Sequence, residues 1–341
     1  MTQLTTVDSN ENVNFMVNLK HKFLRIFFAT DVHGSTIVFK KFLNAGITYA
    51  ADVLVLGGDV TGKLIVPIVK GESGVYNADF MEQNWMVKSE ELDTFRLRVE
   101  NSGSYPYITT KQEWDVKGRP PEYDKLYEQL AEGRIREWIL LAEAKFKGNV
   151  GSIYLTGGND DPAWFKSILS KNEWIRDIDE ELVELPADYQ MVSMGYGNRT
   201  PWKTPREMDE NQLTAKINDM VAKCSAPMDK CIFNFHIPPY NSGLDTCPKV
   251  DGSFNPPKYV FESGQPVMIG AGSTAVRKAI EEYQPVLGLH GHVHEQRGAV
   301  KIGKTLCINP GSEYGEGVLR GVILNLDLKE KGVLSHQFTG G

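Results

Sequence analysis

Five short apolar runs, each closing on a residue of a metal-ligand type, constrain this chain more than any other feature of its sequence. Phe23 to Ala29 (FLRIFFA) leads into Asp31-Val32-His33, and Val53 to Leu56 (VLVL) leads into Gly57-Gly58-Asp59. Gly151 to Thr156 (GSIYLT) leads into Gly157-Gly158-Asn159, and Cys231 to Phe235 (CIFNF) into His236. Val286 to Leu289 (VLGL) leads into His290-Gly291-His292-Val293-His294. Runs this short and dense suit strands buried on both faces. Between the first two, Ser35 can cap a helix with Val38, Phe39 and Phe42 at helical spacing and Gly46 as its stop. The result is a strand–helix–strand unit of an α/β fold. Sites in such folds gather outside the carboxyl ends of strands.

The segments between the motifs are read more coarsely. Leu64-Ile65-Val66 and Val75-Tyr76 flank Gly71-Glu72-Ser73-Gly74, the pattern of a hairpin. A mixed stretch follows to about Pro121. A long helix is expected over 123–147, burying Leu126, Leu130, Trp138, Leu141 and Ala142. Pro162 can open a helix, 273–283 is expected to be helical, and further strands are expected near Lys301, Leu306 and Val322–Leu324. Residues 1–20 are expected to form a flexible N-terminal arm and 21–341 a single domain. The stretch 64–121 separates two motif-bearing strands and is read as an insertion that caps or borders the site.

One strand-end Asp or His is unremarkable; five in one chain are not. The chain has seven His, and four of them, His33, His236, His292 and His294, take ligand positions in these motifs. Carboxylate oxygens and imidazole nitrogens together suit manganese, iron or zinc. Asp59 is suited to bridge two ions. Two divalent ions, two aspartates and a bridging hydroxide leave a formal charge of about +1, which favours an anionic phosphate ester over a neutral amide or ester. Gly58, Gly158 and Gly291 precede ligands where a side chain would block close approach. The four cysteines form no CxxC pair, so a thiolate zinc site is not expected.

In this order the motifs resemble those of the calcineurin-like metallophosphoesterase superfamily, D-x-H, G-D, G-N-H-[DE], H and G-H-x-H. The resemblance spans residues 31–294 and implies a four-layer αββα sandwich of two mixed sheets flanked by helices. It implies that Asp31, His33 and His294 hold a first ion, that Asn159, His236 and His292 hold a second, and that Asp59 bridges them. His290 has no ligand role in the pattern and is expected to pack or to support a neighbour. The family often has His after the Asn ligand, where it bonds the phosphate and protonates the leaving group. Here that position is Asp160, a poor proton donor beside a dinuclear cation. Asn309 to Gly317 and Pro201 to Arg206 are similar to a prokaryotic, poorly characterised phosphoesterase group.

The expected function is metal-dependent hydrolysis of phosphate esters, phosphodiesters foremost, by a hydroxide bridging two metal ions. Asp160 and Asp161 are candidate catalytic residues. Asp161 is also a candidate for orienting a neighbour. Arg206 and Lys203 are candidate substrate contacts, Arg206 the better because its planar fork matches phosphate oxygens. The alternative is a non-catalytic scaffold of the same fold. A nuclease is disfavoured by the net charge, 37 − 44 = −7, and by the lack of a basic, aromatic-interleaved stretch. The expected partner is a small phosphate ester, and a homo-oligomer stays open. The chain shows neither a secretory signal nor a membrane span, so the cytoplasm is expected. Replacing Asp160 with His should raise turnover of monoesters with poor leaving groups and leave activated diesters nearly unchanged. Equal effects on both classes would remove Asp160 from the leaving-group position.

Overall fold

The computed structural model describes residues 22–147, 152–170, 172–254, 256–329 and 332–341; the expected arm at 1–20 lies outside them. All five apolar runs form strands: Phe23–Ala29, Val53–Leu56, Ser152–Leu155, Cys231–Phe235 and Leu287–Leu289. They divide between two six-stranded mixed sheets. The first runs in the order Val333–Gly340, Arg320–Asp327, Phe23–Ala29, Val53–Leu56, Ser152–Leu155, Ile175–Asp177. The second runs Gly298–Ile302, Thr305–Asn309, Leu287–Leu289, Cys231–Phe235, Tyr189–Met194, Leu182–Leu185. In each sheet the motif-bearing strands are parallel neighbours, so their carboxyl ends fall at one edge.

Alternation along the strands explains why they must be apolar throughout. Leu24, Ile26 and Phe28 share a buried cluster with Met191, Ile232 and Leu289 of the other sheet. The intervening Phe27, with Leu54 and Leu56, instead meets Phe39 and Phe42 of helix Thr36–Thr48 and Trp138 of helix Glu122–Phe146. Successive strand side chains point to opposite faces, and here both faces are covered. The second sheet repeats the arrangement. Val192, Phe233 and Phe235 meet Leu213 and Ile217 of helix Glu210–Val221 and Val276 and Ile280 of helix Thr274–Tyr283.

Some local expectations change. Gly46 does not end its helix, which continues to Thr48; a Cβ at Gly46 would lie 2.7 Å from the Leu54 side chain, so the glycine serves close helix–strand packing. Ser35 sits at the N-cap, but its hydroxyl donates to the Asn101 carbonyl instead (2.6 Å). After Pro162 the helix is short, Phe165–Leu169. The expected hairpin is present, with Ile65–Lys70 antiparallel to Val75–Phe80. It belongs to a separate four-stranded sheet ordered Gln83–Lys88, Val75–Phe80, Ile65–Lys70, Tyr105–Thr109. That sheet buries Val66, Ile68, Phe80 and Val87 under Phe95 and Val99 of helix Leu92–Asn101. Trp85 packs there against Phe95, centroids 5.4 Å apart. Among the described residues no helix is long and apolar enough to cross a membrane.

Trp138 ties the long helix to the first sheet's flank. Its ring stacks on Phe39 at 4.2 Å and its indole N–H donates to the Thr36 hydroxyl. Trp138→Ala should lower unfolding stability by about 3–5 kcal/mol, measurable as a fall in the urea midpoint at unchanged slope.

Candidate metal centre

At the carboxyl ends of the parallel strands the chain turns sharply. Asp31 (φ 53°), His33 (φ 40°), Asp59 (φ 49°) and His292 (φ 65°) all adopt left-handed backbone. Asp and His tolerate this region better than most side chains. The strain, of order 1–3 kcal/mol per residue, is typical of functional sites. Glycines let the turns meet. A Cβ at Gly158 would sit 2.0 Å from Asp59 Oδ1, and one at Gly291 would sit 2.2 Å from Thr30 Oγ1 and 2.4 Å from Asp31 Oδ2.

Two groups of side chains able to hold a metal ion result: Asp31, His33, Asp59 and His294, and Asp59, His236 and His292. Asp59 belongs to both. In the first, His294 Nε2 lies 3.3 Å from Asp31 Oδ1, and His33 Nε2 lies 3.7 Å from Asp59 Oδ2. In the second, His236 Nε2 lies 3.3 Å from Asp59 Oδ2. Asn159 joins this group, its Oδ1 2.8 Å from His292 Nδ1. All seven ligand candidates therefore converge, in two groups that share Asp59.

The electrostatics fit a cation. His236 Nε2 is buried, lacks a hydrogen-bond partner and faces carboxylate oxygens. The facing His33 and His294 Nε2 atoms are 3.1 Å apart, a spacing natural for two ligands of one ion. Burial opposes protonation of His236, yet the carboxylates of Asp59 and Asp31 raise it to about 10. The site thus demands a positive charge among its carboxylates. Burial pushes Asp31 and Asp59 up, but the imidazoles, His236 first among them, hold both well below the usual carboxylate range. Burial keeps His33 well below its ordinary value and, with His236 nearby, brings His292 to about 4. Anionic carboxylates and neutral imidazoles are the forms that bind metal.

Other residues hold these loops in place. The buried Asp161 carboxylate accepts from the backbone N–H groups of Val60 (2.9 Å), Thr61 (2.7 Å) and Gly158 (2.7 Å), and from the Thr61 hydroxyl (2.7 Å). It locks the Asp59 loop to the Asn159 loop. The expectation that Asp161 acts in the reaction gives way to this positioning role, because both its oxygens are engaged. Arg206 is likewise corrected as a substrate contact. It is 7% exposed, paired with Asp179, and donates to the Gly158 carbonyl, so its fork is spent beneath that turn. Lys203 is exposed; its neighbour Thr204 accepts from Asn159 Nδ2 (2.8 Å), which leaves Asn159 Oδ1 towards His292. Asn309 Nδ2 donates to the Gly291 and Val293 carbonyls, and the Ser312 hydroxyl donates to the Asp31 carbonyl. The Asn-Pro-Gly-Ser turn thereby pins the last loop to the first. His290, as expected, is a support: it is buried, with Nδ1 2.8 Å from the Phe235 carbonyl.

Asp160 lies at the edge of the cluster, and its N–H donates to Asp59 Oδ1 (3.0 Å). Its carboxylate is 3.2 Å from Lys63 Nζ and 4.0 Å from His33 Nδ1. Burial and the Asp59 charge push it up to about 6 against the lowering by Lys63. Sequence reading missed Lys63 and Tyr314. The Tyr314 ring packs 4.5 Å from His33 and 5.7 Å from His294. Lys63 had a faint signal, lying four residues after Asp59 in a Gly-Lys pair; Tyr314 lay within the Asn309–Gly317 motif, but nothing local gave it a place at the cluster, since its contacts span the chain.

No family model matches the chain. The uncharacterized protein MJ1162 of Methanocaldococcus jannaschii is 26% identical over 141 residues, which are 41% of this chain and 55% of that protein. The chain thus spans about half the length of this curated relative. The crystal structure of TT1561 from Thermus thermophilus superposes with a TM-score of 0.50 at 13% identity, covering 94% of this chain and 98% of that one. Another crystal structure reaches 0.52 at 14% identity with the same coverage. At these identities the likeness shows a shared fold.

The close approach at Gly158 gives a direct test. Gly158→Ala should leave the far-ultraviolet spectrum unchanged but displace Asp59, weakening manganese binding by about 10–100-fold in calorimetric titration. Undiminished binding would show that Asp59 is not a shared ligand.

Proposed function

We propose that the chain is a dinuclear metallophosphoesterase that hydrolyses small phosphate esters, phosphodiesters foremost, on a four-layer αββα sandwich. One observation carries this reading: seven ligand-type side chains from five strand ends converge in two groups that share Asp59. Asp31, His33 and His294 would hold one ion, Asn159, His236 and His292 the other. Bound there, divalent manganese, iron or zinc would polarise the phosphate and lower the pKa of water.

The chain's own groups prepare the site. Asp160 N–H and the Gly158 turn fix Asp59 between the two groups. Neutral His33 and His292 present lone pairs, and the His236 ring is fixed by its Nδ1 contact with the Gly57 carbonyl (3.0 Å). Asp160 alone would repel an incoming phosphate. Lys63 neutralises it and brings a half-exposed ammonium to the cluster's edge, where it can meet a phosphate oxygen as a point charge. The carboxylate, bound to that ammonium, is a weak source of a proton for a leaving alkoxide. This favours esters with good leaving groups, diesters among them, over unactivated monoesters.

Purified protein loaded with manganese should hydrolyse bis(p-nitrophenyl) phosphate. Asp59→Ala and His236→Ala should each lower kcat/KM by at least about 100-fold. Metal analysis should find two ions per wild-type chain. Absence of turnover on any phosphate ester, with no bound metal, would instead favour a scaffold of the same fold.

A further inference from the structure

A cavity of about 650 Å³ opens beside the metal-ligand cluster, between the small sheet and the turn at Tyr314. Ligand pockets are commonly of about 300–1,000 Å³. The cavity and the cluster share walls. Tyr314 lines the cavity with one side of its surroundings and packs on His33 and His294 with the other. Leu64, at the cavity, follows the Lys63 that pairs with Asp160. Ser102 and Ser104 flank Gly103, where a Cβ would lie 2.2 Å from the His33 carbonyl.

We propose that this cavity receives the organic arm of the phosphate ester, and that the arm is amphipathic, bears hydroxyls and carries no second anionic group. The proposal rests on the phosphoesterase reading and adds the class of substrate. Leu64 and Met81, both exposed, give the cavity an apolar side suited to a ring or short alkyl part. Asp79 and Glu82, both exposed, offer acceptors for hydroxyl donors. No Lys, Arg or His is among the described residues that line it. A second phosphate would meet two carboxylates without a compensating cation, which is selection by repulsion.

The rim is also held in an unusual shape. Phe80 and Gln83 close a hairpin whose tip is Met81 (φ 51°) and Glu82 (φ 58°). Two-residue turns with both central residues left-handed favour Asn-Gly. This chain places a large apolar and a charged side chain there instead, with Met81 51% exposed.

The test compares the p-nitrophenyl ester of thymidine monophosphate with the same ester carrying a second phosphate on the sugar, both with manganese-loaded full-length protein. The wild type should favour the first by at least about 10-fold in kcat/KM. The double variant Asp79→Asn with Glu82→Gln should shrink that preference, and Glu82→Lys should shrink it further. Equal turnover of both esters by the wild type, or a preference untouched in both variants, would overturn the proposal. If neither ester is hydrolysed, the phosphoesterase reading fails by itself. Calorimetric binding of the same two compounds then decides the cavity: tighter binding of the single-phosphate ester supports it, and equal or weaker binding overturns it.

Discussion

Asp31 and Asp59 bring two carboxylates, 1% and 2% exposed, to the ends of adjacent parallel strands. Everything around them answers that charge. An ionised carboxylate away from water is costly unless it is paired or coordinates a metal. Among the described residues these carboxylates pair with imidazoles and with no Arg or Lys. An Arg would satisfy the carboxylates permanently and close the site. Burial holds His33 and His292 below their ordinary values, so their lone pairs stay open to a metal ion.

Such a cluster needs a rigid frame, since each loop end is strained. The frame is made of polar bonds between loops that are remote in sequence. Asp161 joins the Asp59 and Asn159 turns, Arg206 and Asp179 support the second of these from below, and Asn309 with Ser312 joins the last loop to the first. These contacts are buried, where an unmade hydrogen bond costs most. Left-handed backbone at four ligand candidates is sustainable because the surrounding bonds over-determine it.

The small sheet at 65–109 has its own apolar cluster and meets the long helix through Ile65, Tyr105, Leu126 and Ala131. It brings Lys63 and the cavity wall to the cluster's edge. The candidate ligand set is thus a property of the two large sheets, whereas Lys63 and the cavity at the cluster's edge come with this third sheet. The pairing of Asp160 with Lys63 shows the division: the first lies beside a ligand of the core, the second at the entry to the small sheet.

Much of this was legible in the sequence, for a physical reason. Strands buried on both faces must be apolar throughout, and their abrupt ends expose the few polar residues that follow. FLRIFFA, VLVL and CIFNF therefore marked both the strands and the ligand candidates after them. Strand Tyr189–Met194 is fully buried and paired on both sides in its sheet, yet Gln190 and Ser193 mask it, because their polar groups find partners only in the folded chain. Helix Glu210–Val221 carries a capping box at Asp209 and Gln212, a local signal that does not say which sheet the helix covers. Arg206 shows the limit most clearly. Its fork suits a phosphate or a carboxylate equally well, and only the approach of Asp179, 27 residues away, decides between them. The sequence by itself determined the strands and the ligand types, since both follow from local burial and chemistry. Tertiary structure alone decided which polar groups stay open to a ligand and which are consumed in holding the loops, since that depends on partners distant in the chain.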